Sequence, residues 1–167
     1  TDLVVGDTHG RLNAYKRVIV GESVLNPNTG QFEFVTKKAW AEFDYNLSTI
    51  TEVFRAVPKF ADLDSDGDFD LIVANQLGQL KGYENIGNST HPQWKQNDFN
   101  LSSLSFAANA ALDIGDLNGD GRKDLVVGDT NQIVAVENVG TADEPLWQQT
   151  NLSLTQPGRT DLKPGLA

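Results

Sequence analysis

Two nine-residue stretches carry oxygen-bearing side chains at alternating positions around a glycine. The first is Asp62-Leu-Asp64-Ser-Asp66-Gly67-Asp68-Phe-Asp70. The second is Asp116-Leu-Asn118-Gly-Asp120-Gly121-Arg122-Lys-Asp124. In both, oxygens stand at positions 1, 3, 5 and 9 and glycine at position 6. That pattern suits a hard cation. Calcium takes about six to eight oxygens at roughly 2.3–2.6 Å. One short loop supplies them only if alternate side chains point inward and the backbone turns sharply. Position 7 would give its backbone carbonyl, so Asp68 and Arg122 both qualify. Asp70 and Asp124 would close the sites. The expected cofactor is therefore Ca²⁺ at two sites. One is formed by Asp62, Asp64, Asp66, Asp68 and Asp70, the other by Asp116, Asn118, Asp120, Arg122 and Asp124.

An EF-hand begins the same way but needs a bidentate Glu at position 12 and flanking helices. Position 12 here is Val73 or Val127, inside a β-branched run. A pair of ordinary Asp-Gly turns is the simpler alternative. It needs one acid and one glycine, whereas loop 62–70 places five acids in nine residues. Without a cation those acids repel one another. The richer carboxylate set predicts tighter calcium binding at loop 62–70 than at loop 116–124.

The loops run into strands that recur. Asp2-Leu-Val-Val-Gly-Asp7, Asp70-Leu-Ile-Val-Ala-Asn75 and Asp124-Leu-Val-Val-Gly-Asp129 are copies of one core. Tryptophans follow at 40, 94 and 147, and Asn-Leu-Ser at 46, 100 and 151, a period of about 54 residues. Tyr83-Glu-Asn-Ile-Gly matches Val136-Glu-Asn-Val-Gly. Each unit reads as four short strands, in the second unit about 56–61, 70–75, 80–85 and 93–98. No segment has a helical period. Repeated four-stranded units of this length are the pattern of β-propeller blades. The recurring Trp reads as packing between blades.

Phe60-Ala-Asp-Leu-Asp-Ser-Asp-Gly-Asp-Phe-Asp-Leu-Ile-Val and Ile114-Gly-Asp-Leu-Asn-Gly-Asp-Gly-Arg-Lys-Asp-Leu-Val-Val resemble FG-GAP/VCBS repeats. The resemblance implies the calcium-binding seven-bladed propeller of integrin α-subunits and many secreted microbial proteins. It also implies that the loop aspartates hold calcium at one end of each blade. In the first unit only Asp2 matches, as an orphaned position 9.

The expected fold is thus all-β, with blades of four antiparallel strands, about three blades of a seven-bladed propeller. A partial blade spans 1–55, with an insertion near 21–31 carrying Asn-Pro-Asn-Thr-Gly. A blade with calcium loop 62–70 spans 56–107, and one with calcium loop 116–124 spans 108–157. The first strand of a next blade occupies 158–167, where Lys163-Pro-Gly-Leu-Ala167 matches Pro58-Lys-Phe-Ala61. Three open blades leave apolar faces and strand edges exposed. The expected partners are the remaining blades of its own propeller or other copies of the chain.

The formal charge is −10. Eight of the acids lie in the two loops, and without them about −2 remains. No basic stripe exists to meet phosphate, which argues against nucleic acid. No apolar run approaches the roughly 20 residues of a membrane span. Cysteine is absent, so no disulfide holds the fold. Weak calcium sites suit an extracellular or cell-surface setting, where calcium would take over part of the stapling that disulfides perform elsewhere. Sequons at Asn46, Asn88, Asn100 and Asn151 are candidate glycosylation sites.

Catalytic groupings are lacking. There is no nucleophile elbow, phosphate loop or dinucleotide fingerprint. His9 and His91 stand alone in loops. Glu84 and Glu137 occupy equivalent strand positions, which reads as structural. Two classes of function stay open. One is an extracellular binding module for adhesion, glycan or protein recognition, or assembly, with calcium structural. The other is the propeller scaffold of a secreted polysaccharide lyase or hydrolase whose catalytic residues lie elsewhere.

Overall fold

The computed structural model describes residues 2–150 apart from 51 and 53. The sequon at Asn151 and the strand expected at 158–167 lie outside the described residues. The fold is all-β, in three antiparallel sheets. The first contains β1 (Leu3–Gly6), β2 (Leu12–Leu25) and β3 (Phe32–Glu42) in that order. The second contains β4 (Val57–Ala61), β5 (Asp70–Ala74), β6 (Leu80–Asn85) and β7 (Trp94–Gln96). The third repeats it with β8 (Ala111–Gly115), β9 (Asp124–Gly128), β10 (Ile133–Asn138) and β11 (Trp147–Thr150). Neighbours in sequence pair in space, so each sheet is a meander.

The central strands explain themselves. Leu71, Ile72, Val73 and Ala74 have no exposure at all, because β5 is covered on both faces as well as flanked by β4 and β6. A strand buried on both faces reads as a continuous apolar run. Ile72 and Ala74 join Leu125, Val127 and Val136 in a core between the second and third sheets. Leu71 and Val73 face the other way, into a core with Leu12, Leu47 and Ile50 of the first sheet and its linker. Alternate residues of one strand thus serve two different interfaces. The insertion of the first unit lengthens the β2–β3 hairpin, whose outer half leaves Ile19, Phe32 and Phe34 more than 70% exposed.

The sheets are latched by the repeated Asn-Leu-Ser and Trp together. Asn46 and Asn100 adopt left-handed conformations (φ 58° and 59°) at the start of short 3-10 turns, Leu47–Thr49 and Leu101–Ser103. Asp44 and Asp98 accept the backbone N–H of Ser48 and Ser102 within these turns. The Asn46 side chain donates to the Pro92 carbonyl at 2.6 Å, and Asn100 donates to that of Pro145 at 2.8 Å. The next tryptophan reciprocates. Trp94 Nε1 donates to the Tyr45 carbonyl and Trp147 Nε1 to that of Phe99. Trp40, with no described sheet beyond it, is half exposed.

Asn100→Gly keeps the left-handed turn accessible and removes one side-chain hydrogen bond. It is expected to lower stability by about 1 kcal/mol. Asn100→Ala adds a backbone penalty, for a total of about 2 kcal/mol. Urea melts of the two variants check the ordering, and equal losses would remove the conformational part.

Glycines complete the joints. Gly10 (φ +83°) and Gly78 (φ +81°) stand at the β1–β2 and β5–β6 tips, beneath the linkers to the next sheet. A Cβ at Gly10 would lie 1.9 Å from the Glu52 carbonyl oxygen, and one at Gly78 2.3 Å from that of Phe106. Only glycine allows these linkers to lie so close.

Candidate metal centre

Both acidic loops are set by what flanks them. Each follows the first strand of its sheet and ends on the first residue of the second, Asp70 on β5 and Asp124 on β9. Left-handed backbone at Ser65 and Gly67, and at Gly119 and Gly121, coils the two loops alike. Asp70 and Asp124 are fully buried. Each uses both oxygens on backbone N–H groups. Asp70 accepts from Leu63 at 2.8 Å and Asn85 at 3.0 Å, and Asp124 from Leu117 at 2.9 Å and Asn138 at 2.8 Å. Position 9 therefore ties the loop's beginning to the far end of the third strand.

That strand end is itself pinned. Asn85 and Asn138, nearly fully buried, accept N–H groups from both sides of the following turn. Asn85 takes Gly87 and Gln93, and Asn138 takes Gly140 and Leu146. Their supporting role is not evident from residue type alone. The repeated Glu-Asn-x-Gly was the available signal.

In loop 62–70, Asp62, Asp64 and Asp70 present carboxylate oxygens that lie within 4.8 Å of one another. The Asp62 Oδ1 atom is buried and, among the described residues, has no hydrogen-bond partner. Burial pushes the Asp70 carboxyl up to about 6, against the pull of its two N–H donors. Burial also raises Asp64, with the charges of Asp66, Glu84 and Asp62 adding to it. Orphaned buried oxygen and crowded, desolvated carboxylates are what a cation would relieve. The donors are all oxygen, which fits a hard ion. Asp66 and Asp68 are not in that carboxylate group, and Asp66 Oδ1 accepts the Asp68 N–H at 2.8 Å.

Loop 116–124 has the same course and different chemistry. Asp116 accepts the N–H groups of Gly119, Asp120 and Gly121. These bonds, that from Gly121 foremost, hold its carboxyl below the usual range. Asn118 accepts the Asp120 N–H. The Arg122 guanidinium pairs with Asp120, so its side chain as well as its carbonyl belongs to the loop.

Asp2 is not part of the carboxylate group of loop 62–70 but lines the cleft beside it with Gly67 and Phe69, and its carboxylate accepts the Tyr45 hydroxyl, which holds it below its ordinary range. The side-chain nitrogens of Asn46 and Asn100, where a glycan would attach, are engaged in the latches. Asn88 is exposed, and its Oδ1 accepts the Thr90 hydroxyl at 2.8 Å. A cleft of about 600 Å³ between the first and second sheets adjoins loop 62–70 and is lined by Tyr45, Phe60, Phe69 and Trp94 among others.

Three antiparallel sheets, two of which carry an acidic loop between their first and second strands, define a modular all-β repeat protein. Residues 62–127, from the first loop into β9, match the family model described as an FG-GAP-like repeat. Over these residues the chain is similar to that repeat, a kind of repeat that suggests a β-propeller-type module. No curated protein and no solved structure matches the chain. Among the described residues no helix is long and apolar enough to cross a membrane.

Proposed function

We propose that the chain is a calcium-stiffened propeller module that binds a protein or glycan outside the cell. The ion is structural. The observation that carries this reading is the Asp62, Asp64 and Asp70 group around an unpartnered buried oxygen. Asp62, Asp64, Asp66, Asp70 and the Asp68 carbonyl would hold the ion, which supplies the positive charge that lets five acids share nine residues. Asp70 then connects the ion site to β6 through the Asn85 N–H. The loop, the second strand and the third strand end become one rigid corner.

Apolar faces on the outer sheets are consistent with further blades completing a ring, seven in all, supplied by the rest of a longer polypeptide or by other copies. The aromatic cleft beside loop 62–70 suits a sugar ring or an apolar side chain. An extracellular location is where a calcium site of modest affinity would be filled. Calorimetric titration of the wild-type chain should show calcium binding with a Kd of about 10⁻⁴–10⁻³ M, the range of extracellular modules. Asp64→Ala should abolish measurable binding, because it removes one of the three converging carboxylates. Absence of binding heat in the folded wild type would refute the calcium assignment.

A further inference from the structure

The two loops differ most at position 7, where Asp68 stands in one and Arg122 in the other. Loop 62–70 contains five acids and no base, whereas loop 116–124 contains three acids with Arg122 and Lys123. The Arg122 side chain does not point away. Its NH2 group lies 2.5 Å from Asp120 Oδ2, and its Nε donates to the Asn138 carbonyl at 2.8 Å. The guanidinium thus bridges position 5 of the loop and the end of β10.

The remaining oxygens of this loop are also engaged. Asp116 Oδ1 and Oδ2, Asp120 Oδ1, Asn118 Oδ1 and both oxygens of Asp124 each accept a backbone N–H. In loop 62–70 one Asp62 oxygen has no donor. A calcium ion entering loop 116–124 would have to displace a tethered guanidinium that never loses its charge.

We propose that Arg122 is the built-in cation of loop 116–124. The loop is neutralised by its own side chain, folds without calcium, and leaves the chain with a single calcium site at loop 62–70. This rests on the calcium reading of loop 62–70 given above. One repeat is then calcium-dependent and its neighbour is not, so calcium acts on one corner of the module.

Native mass spectrometry with calcium counts the bound ions, and hydrogen exchange with and without calcium locates them. The wild type should hold one ion, with calcium-induced protection in 62–70 and none in 116–124. Asp64→Ala should hold none. Arg122→Gln should hold two and gain protection at 116–124. Arg122→Lys keeps the charge and should stay at one. Two ions on the wild type, or calcium-induced protection of 116–124 in it, overturns the proposal and leaves the calcium reading intact. One ion on Arg122→Gln, equal to the wild type, also overturns it. No ion on the wild type with one on Arg122→Gln sustains the role of Arg122 and refutes calcium at loop 62–70. No ion on any form refutes both. The wild-type exchange pattern stands even if Arg122→Gln does not fold.

Discussion

Glu52→Ala is expected to destabilise the chain by about 3 kcal/mol, the low end of the range for removing one partner of a buried ion pair. The Glu52 side chain has no exposure. Its carboxylate meets the Lys81 ammonium at 2.9 Å and accepts the Tyr83 hydroxyl at 2.7 Å. Burial, with the hydrogen bond and charge of Glu52, raises the Tyr83 hydroxyl well above its ordinary pKa. Truncation leaves a phenol and an ammonium facing a cavity. The low end applies because the Lys81 side chain keeps about a third of its exposure, so water can reach the ammonium.

The second interface shows what replaces this cluster. In register with Glu52, Lys81 and Tyr83 stand Phe106, Val134 and Val136, all part of the apolar core between the second and third sheets. One joint is ionic and the next is hydrophobic at the same place in the repeat. Buried ion pairs are often matched in stability by well-packed apolar residues. Glu52→Leu combined with Lys81→Val and Tyr83→Val should therefore recover most of the loss. Guanidinium unfolding of the single and triple variants decides. A loss below about 1 kcal/mol in Glu52→Ala would mean that the carboxylate is not held as the structure has it.

What the sequence made legible was local. Leu71-Ile72-Val73-Ala74 announced a strand buried on both faces, and the observed β4 to β7 fall within a residue or two of the expected spans. Loop oxygens at fixed positions around Gly67 announced a cradle, because their spacing is the chemistry. The joints between sheets were hidden. Asn46 reaches Pro92 across 46 positions and Trp94 reaches Tyr45 across 49, and no periodicity encodes a partner at that distance. Asn-Leu-Ser was legible as a repeat and illegible as a latch. Glu52 gave no signal because it has no polar counterpart in the other unit. Arg122 was read through its carbonyl, and its side chain found Asp120 because the loop curls position 7 back over position 5.

Calcium removal has the other large effect expected. With excess EDTA in place of about 10 mM calcium, the melting temperature should fall by more than about 5 °C. The magnitude follows from linkage. A site with a Kd near 10⁻⁴ M is occupied at about 100 Kd, which stabilises the native state by about 2.7 kcal/mol. For a chain of this size each kcal/mol shifts the midpoint by about 2–4 °C. The linkage needs a site present only in the folded chain, and loop 62–70 meets that condition. Its carboxylates converge only because Asp70 is fixed on β5 and bonded to Leu63 and Asn85. Asp64→Ala should melt near the EDTA value with or without calcium, since the ligand set is broken. Asp120→Ala should keep the wild-type response, because Arg122 rather than calcium serves that loop. Differential scanning calorimetry of the three chains separates these cases. A wild-type melt that ignores EDTA would take calcium out of the stability of this fold and leave loop 62–70 held by Asp70 alone.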